Sequence, residues 1–341
     1  MLFLNTTKIQ HFVQNEQSEY NSCHYPNQVC WFPKAPPYAA MEIKNFLNYV
    51  RAHTTGEKHA VDFCLARKSG IGDVLMLVPV VRYLQQHYGL SIALVSQYSR
   101  LVSKLGVIAY SAIPPKTGGD YPLSFSLENI FERDRFDNRF QGRHRVNIAF
   151  DVLGVPRPAP EEVDWHWDSS WFPQLDIEDK RYIVVNVKGS SARNSLSDDN
   201  IWELLKSLDE VGIPTKVNHP VKFKSSYVKE WTGSPVELVS LIAGAECLIT
   251  TNTSTFWMSH FTKTPTVLVI STPKHKYVPT LHPLYPEGVK TIFAGKYLNC
   301  DGCWETGEFC SSEFLCLSRK EIISEIVEAA KSFWEACVIW Q

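Results

Sequence analysis

The sequence predicts an α/β protein built from two parallel-sheet units in tandem, and three patterns carry that reading. Short apolar runs that suit buried strands alternate with longer helical patterns, the order expected of βαβ units. The alternation occurs twice, separated by the aperiodic, proline- and tryptophan-rich stretch "VPRPAPEEVDWHWDSSWFPQLDIEDK". A chain of 341 residues is long for one hydrophobic core and comfortable for two.

Residues 1–45 are polar and aromatic, are punctuated by "FPKAPPY", and show no sustained period. They read as an extension laid over the first domain, which occupies 46–165. That domain opens with "VDFCLA" from Val61 as a strand, followed by a loop holding Gly70 and Gly72. A helix from Val74 to His87 and the strand "LSIALVSQ" complete the first βαβ unit. The segment "FERDRFDNRFQGRHRVNIAFDVLG" is helical and rich in arginine, either a solvated basic face or a positive lip for an anionic acceptor.

The second domain, 166–318, restarts with "YIVVNVKG" as a buried strand. Ser197 caps a helix running to about Glu210, which Gly212 ends. "SPVELVSLIAGAE" opens with a capping box of Ser234 and Glu237 and has Pro235 at its first helical position. "CLITTN" and "TVLVIS" are further strands with a short helix between them. In the tail, 319–341, a capping box of Ser318 and Glu321 precedes Ile322, Ile326, Ala330, Phe333 and Cys337 at helical spacing, which predicts a docking helix. Ligands in such sheets bind beyond the carboxyl ends of the strands, and this chain offers two such edges to face each other.

Composition narrows the function classes. A formal net charge of −2 gives no global attraction to nucleic acid or to an anionic membrane. The longest strongly apolar run, Val74 to Val81, is far short of the roughly 20 residues of a membrane span. The start "MLFLNTTKIQHFVQNEQSEY" lacks the basic and apolar regions of a signal peptide, so a cytoplasmic location is expected. Cys23, Cys30, Cys64, Cys247 and Cys337 are scattered and read as small apolar fillers of a reducing compartment.

The loop after the first strand is not a dinucleotide fingerprint. Leu75 stands where the third glycine would be, and the next strand ends in "VSQYS", without an acid for a ribose hydroxyl. Asp73 has two readings. A carboxylate in the first helical turn is stabilised by the backbone dipole; a carboxylate at a cleft edge, beside glycines that let substrate approach, can act as a general base.

"RKSGIGDVLMLVPVVRYLQQHYG" resembles the opening of the heptosyltransferase family, glycosyltransferase family 9. The resemblance implies a GT-B type fold: α/β, with two Rossmann-like domains facing across a cleft. It places the acceptor in the first domain, beside Ser69, Gly70 and Gly72, with Asp73 as catalytic base. It places a nucleotide-diphosphate sugar, an ADP-sugar favoured, in the second. The implied reaction is inverting transfer of a heptose-like sugar to a hydroxyl of a glycan or protein, with no catalytic metal.

Two further stretches extend the resemblance. "IVVNVKGSSARNS" falls where the family binds the donor diphosphate, and Lys188, Gly189, Ser190, Ser191 and Arg193 are the candidates. Small hydroxyls and backbone N–H groups at a strand end suit phosphate oxygens. Lys188 reads equally as a surface lysine, and Asn194 stands near the place of a family lysine. "LITTNTSTFWMSHFTKTPTVLVIS" matches the second signature through Asn252, Thr253, Ser254 and Thr255. Here Asn252 stands for the family's aspartate, Ser254 for its glycine and Trp257 for its histidine. His260, three residues on, reads as a core residue or as one that supports the site from behind.

Cys300, Cys303, Cys310 and Cys316 are spaced C-x2-C-x6-C-x5-C, close enough for four thiolates to close a tetrahedral structural metal site. Zinc and iron both suit thiolates; disulfides or free thiols are the plain alternative. "CDGCW" and Trp257 together resemble the branch of the family that modifies autotransporter proteins, which implies iron. Two other functions remain open. The departures at Asn252 and Trp257 suit a non-catalytic relative that binds a nucleotide or glycan. A glycosyltransferase acting on modified DNA rests only on the arginine-rich 133–145 segment.

Overall fold

The computed structural model describes residues 61–67, 70–111, 124–127, 143–153, 155–223, 225–271, 276–298 and 315–336. The extension at 1–45 and most of the arginine-rich segment lie outside them. The chain divides into two compact units, Met1–Asp164 and Trp165–Gln341.

The first unit contains β1 (Phe63–Ala66), α1 (Ile71–Tyr88), β2 (Ile92–Val95), α2 (Ser99–Lys104), β3 (Ile108–Tyr110), β4 (Ser124–Ser126) and α3 (Arg145–Val152). Its sheet is ordered β3-β2-β1-β4 and every pairing is parallel. β2 is buried on both faces, the reason its sequence is continuously apolar and not alternating. α1 begins at Ile71, three residues before the expected start, so its first turn includes Gly72 and Asp73. Val74 to Arg82 are buried without interruption, each large apolar side chain contributing about 1.5–3 kcal/mol relative to exposure. The helix ends at Gly89, whose φ of 65° reverses the chain.

The second unit contains β5 (Ile183–Asn186), α4 (Asp198–Glu210), β6 (Thr215–Val217), β7 (Val228–Glu230), α5 (Pro235–Ala243) and β8 (Cys247–Thr251). α6 (Ser254–Thr262), β9 (Thr266–Ile270), β10 (Val289–Phe293) and α7 (Glu321–Ala336) complete it. Its six strands run β10-β9-β8-β5-β6-β7, all parallel. The expected caps form: Ser197 Oγ accepts from Asn200 N at 3.3 Å, and Ser234 and Glu237 make a reciprocal capping box. The Ser318–Glu321 box does not form. Ser318 closes a 3-10 turn, Leu315–Ser318, and α7 starts only at Glu321, so that glutamate is the first helical residue and not the third. α7 still docks as expected through Ile322, Ile326 and Ala330. Arg181 holds its far end, donating to Trp334 O and Glu246 Oε1 at 2.7 Å each, with its guanidinium 4.2 Å above the Trp334 ring.

Both sheets share one winding. From β1 the chain builds β2 and β3 on one side, then crosses to β4 on the other; from β5 it builds β6 and β7, then crosses to β8. The crossing opens a crevice at the carboxyl ends of β1 and β4, and another at those of β5 and β8, where doubly wound sheets bind ligands. No helix of the described residues is long and apolar enough to cross a membrane.

Candidate active site

In the first unit the crevice holds Asp73. Gly70 sits at the N-cap of α1 with φ 77° and ψ 95°, a backbone state that side-chain-bearing residues avoid. A Cβ there would lie 2.6 Å from Asp73 Oδ2, so the loop closes directly over the carboxylate. The Asp73 side chain is 19% exposed and is paired with Arg67, whose side chain is 4% exposed. Arg67 prolongs β1: its N–H donates to Val95 O at 2.9 Å, while Nη1 donates to Leu127 O at 3.3 Å. Its Nη2 donates to Asp73 Oδ2. The carboxylate thus meets a guanidinium on one side and the α1 N-terminus behind it, both complementary to negative charge. Ser69 lies outside the described residues. Arg67 is the site residue that sequence reasoning missed; a cation closing an apolar strand, with Lys68 beside it, was the available signal.

In the second unit the loops after β5 and β8 lock together. Gly189 N donates to Ser195 Oγ at 3.0 Å, and that hydroxyl donates to Ser191 O at 2.8 Å. A Cβ on Gly189 would stand 2.8 Å from Asn194 O and 3.0 Å from Thr253 Cγ2. Thr251 Oγ1 donates across to Asn194 O at 2.7 Å. Thr255 Oγ1 lies 2.7 Å from Thr250 Oγ1 and 3.0 Å from Thr253 Oγ1, so this buried threonine works inside the loop while Asn252, Thr253 and Ser254 are partly exposed. Among the described residues the buried Ser191 Oγ has no hydrogen-bond partner. Lys188 and Ser190 are exposed, and Lys188 Nζ pairs with Asp198 Oδ1 at 2.8 Å, which draws the Asp198 carboxyl below its usual range. Arg193 lies in the 3-10 turn Ala192–Asn194, with its side chain outside the described residues.

No protein-family model matches the chain, and no curated protein matches it in sequence. Solved structures do match it. The iron-containing dodecameric glycosyltransferase TibC of enterotoxigenic E. coli H10407 superposes with TM-score 0.58 at 16% identity, over 81% of this chain and 76% of that one. TibC has also been solved with ADP-D-β-D-heptose, with TM-score 0.57 at 16% identity, over 80% of this chain and 76% of that one. The E. coli heptosyltransferase WaaC with ADP gives 0.51 at 15% identity, over 78% of this chain and 99% of that one. A family 9 glycosyl transferase of Veillonella parvula DSM 2008 gives 0.52 at 12%, over 82% and 98%. The fold is GT-B.

On this GT-B chain Trp257 is 3% exposed and stacks on His260, ring centroids 5.0 Å apart. His260 is a core residue, as expected; its ring meets Trp165 at 4.5 Å and His282 at 4.6 Å. His282 Nδ1 accepts from Leu284 N at 3.1 Å, which leaves its Nε2–H to donate to Ser259 Oγ at 3.2 Å. Burial pushes the His282 imidazole down to about 3. Beside Lys188 a cavity of 470 Å³ opens between α4 and residues 220–223, with Trp202, Leu205, Lys222 and Phe223 on its walls. Cys300, Cys303 and Cys310 lie outside the described residues, and Cys316 is buried in the Leu315–Ser318 turn. Among the described residues no group of three or more His, Cys, Asp or Glu is placed to hold a metal ion.

Proposed function

We propose that this chain is a family 9 glycosyltransferase of the heptosyl kind, taking an ADP-sugar as donor and a hydroxyl of a glycan or protein as acceptor. The observation that carries the reading is Asp73, a partly exposed carboxylate at the carboxyl edge of the first sheet, beneath a glycine that lets substrate approach. The fold shared with TibC, solved with ADP-D-β-D-heptose, and with WaaC, solved with ADP, supports the donor class. In the step proposed, Asp73 takes the acceptor proton as the acceptor oxygen bonds to the anomeric carbon. The bond from that carbon to the diphosphate breaks on the opposite face, and ADP leaves with the electron pair. The loop of Ser190 and Ser191 with Asn252, Thr253 and Ser254 meets the developing diphosphate charge with N–H groups and hydroxyls, while Gly189, its N–H already given to Ser195 Oγ, lets the two loops pack closely. Lys188 or Arg193 supplies the cation.

The test is release of ADP from ADP-D-β-D-heptose. Asp73→Asn should lower turnover by about 10²–10⁴ while ADP binding, measured by calorimetry, stays unchanged. Equal turnover in the variant would remove Asp73 from the mechanism. The buried Trp257 in place of a histidine favours a second reading, a nucleotide-binding relative without transfer; it predicts ADP binding with no ADP release from any sugar donor.

Cys300, Cys303, Cys310 and Cys316 are read as ligands of one structural iron or zinc. Four thiolates satisfy a tetrahedral ion without an open position, so the ion would tie residues 299–314 to the core around Cys316 and take no part in transfer. Elemental analysis should find one metal ion per chain, lost in Cys303→Ser; a metal-free, folded wild-type protein would end this assignment.

A further inference from the structure

We propose that Arg67 is a positioning residue that holds the Asp73 carboxylate in its working rotamer; the inference rests on the reading of Asp73 as base. Arg67 is buried, and a buried guanidinium must find acceptors for its donors. It finds them on both sides of the first crevice: one arm donates to Leu127 O, just past β4, and another to Asp73 in the first turn of α1. Leu127 N in turn donates to Ala66 O at 2.8 Å, so the strand end that receives Arg67 is itself fixed to β1. The planar fork therefore ties the loop carboxylate to the sheet at the point where β1 and β4 diverge.

Other charged groups around α1 have commitments of their own. Arg82 donates to Leu105 O and pairs with Asp164, while Arg143 and Arg157 both pair with Asp151. Asp62 Oδ2 accepts from Ser91 N at 2.6 Å. A lysine at 67 would keep the charge and lose the two-armed geometry.

The experiment compares Arg67→Met, Arg67→Lys, Asp73→Asn and the Met/Asn double variant, using ADP release from ADP-D-β-D-heptose and calorimetric ADP binding. Arg67→Met should lower kcat by about 10², the cost of misplacing a catalytic group by about an ångström, with the ADP Kd unchanged. Arg67→Lys should recover part of that loss. The double variant should be no slower than Asp73→Asn alone, because an arginine acting through Asp73 has nothing left to position. Wild-type kcat in Arg67→Met, or a full further loss in the double variant, overturns the proposal. Where Arg67→Met does not fold, Arg67→Gln takes its place. A carbon-13 titration of the Asp73 carboxyl separates this inference from the base reading. Its midpoint should rise by about one pH unit or more when Arg67 is removed, whatever the turnover of Asp73→Asn. An unmoved midpoint overturns the role of Arg67 alone.

Discussion

Gly70→Ala, set against Gly89→Ala, isolates the contact between the glycine loop and Asp73. Both glycines have positive φ, 77° and 65°; at Gly89, which is left-handed helical, alanine costs about 1–2 kcal/mol, and at Gly70, whose ψ of 95° lies outside that well, at least as much. Their surroundings differ. A methyl at Gly89 meets nothing within 4 Å, whereas one at Gly70 falls 2.6 Å from Asp73 Oδ2 and 3.2 Å from its Cγ. That carboxylate is already held by Arg67, so it yields only by giving up the ion pair. The clash should add about 1–3 kcal/mol at Gly70, the usual range for overpacking a filled site. Urea unfolding should therefore show Gly70→Ala clearly less stable than Gly89→Ala. In ADP release Gly89→Ala should match wild type, while Gly70→Ala should fall by about 10² if Asp73 is the proposed base and is displaced. Equal stability loss and equal turnover in the two variants would refute the reasoning.

Gly189→Ala tests the second unit by sterics: its methyl would press Asn194 O at 2.8 Å and Thr253 Cγ2 at 3.0 Å, wedging apart the two loops proposed to bind the donor. ADP affinity should fall at least about tenfold, for which about 1.4 kcal/mol suffices; an unchanged calorimetric Kd would detach these loops from the donor. His282 predicts an acid sensitivity. Its folded value near 3 lies below the ordinary 6.5, so the unfolded chain binds the extra proton first, and stability present above pH 6.5 is lost as pH falls towards 3. The slope it adds reaches at most about 1.4 kcal/mol per pH unit, and His282→Gln should remove it. The same slope in both proteins would contradict the buried neutral imidazole.

The sequence made the central strands legible because β5, β8 and β9 are buried on both faces and so carry unbroken apolar runs, IVV, CLI and VLVI. β3, β4, β6 and β7 have three residues each, too few to display a period. The start of α1 was hidden because Gly70 and Gly72 bracket Ile71, and the apolar pattern that marks the helix begins only at Val74. Caps were readable where a serine directly precedes a helix, as at Ser197 and Ser234. The Ser318 pattern failed because a 3-10 turn already uses that serine. Asp73 was visible through its place after a strand and two glycines. Arg67 was not, since its role depends on β4 returning beside β1, a pairing between residues 60 positions apart. The threonine network at 250–255 was equally hidden, since its bond to Asn194 spans 57 positions.

The two crevices are built by one device. In each unit the loop leaving the central strand contains a glycine that no larger residue can replace without collision, and a side chain ties that loop to the strand across the crevice. Arg67 reaches from β1 to Leu127 in the first unit, and Thr251 reaches from β8 to Asn194 in the second. Neither contact belongs to the strand ladder itself. Such ties do make a loop rigid where a reacting group or a phosphate must be held within a fraction of an ångström. The same reasoning bears on the positions where the chain departs from the family it resembles. Trp257 is turned into the aromatic packing with His260 and His282 and contributes volume there, so its difference alters the core beneath α6. Asn252 keeps a partly exposed place on the loop itself. Asn252→Asp is the substitution that should raise ADP release if the acid that the resemblance places at this position limits the proposed transfer.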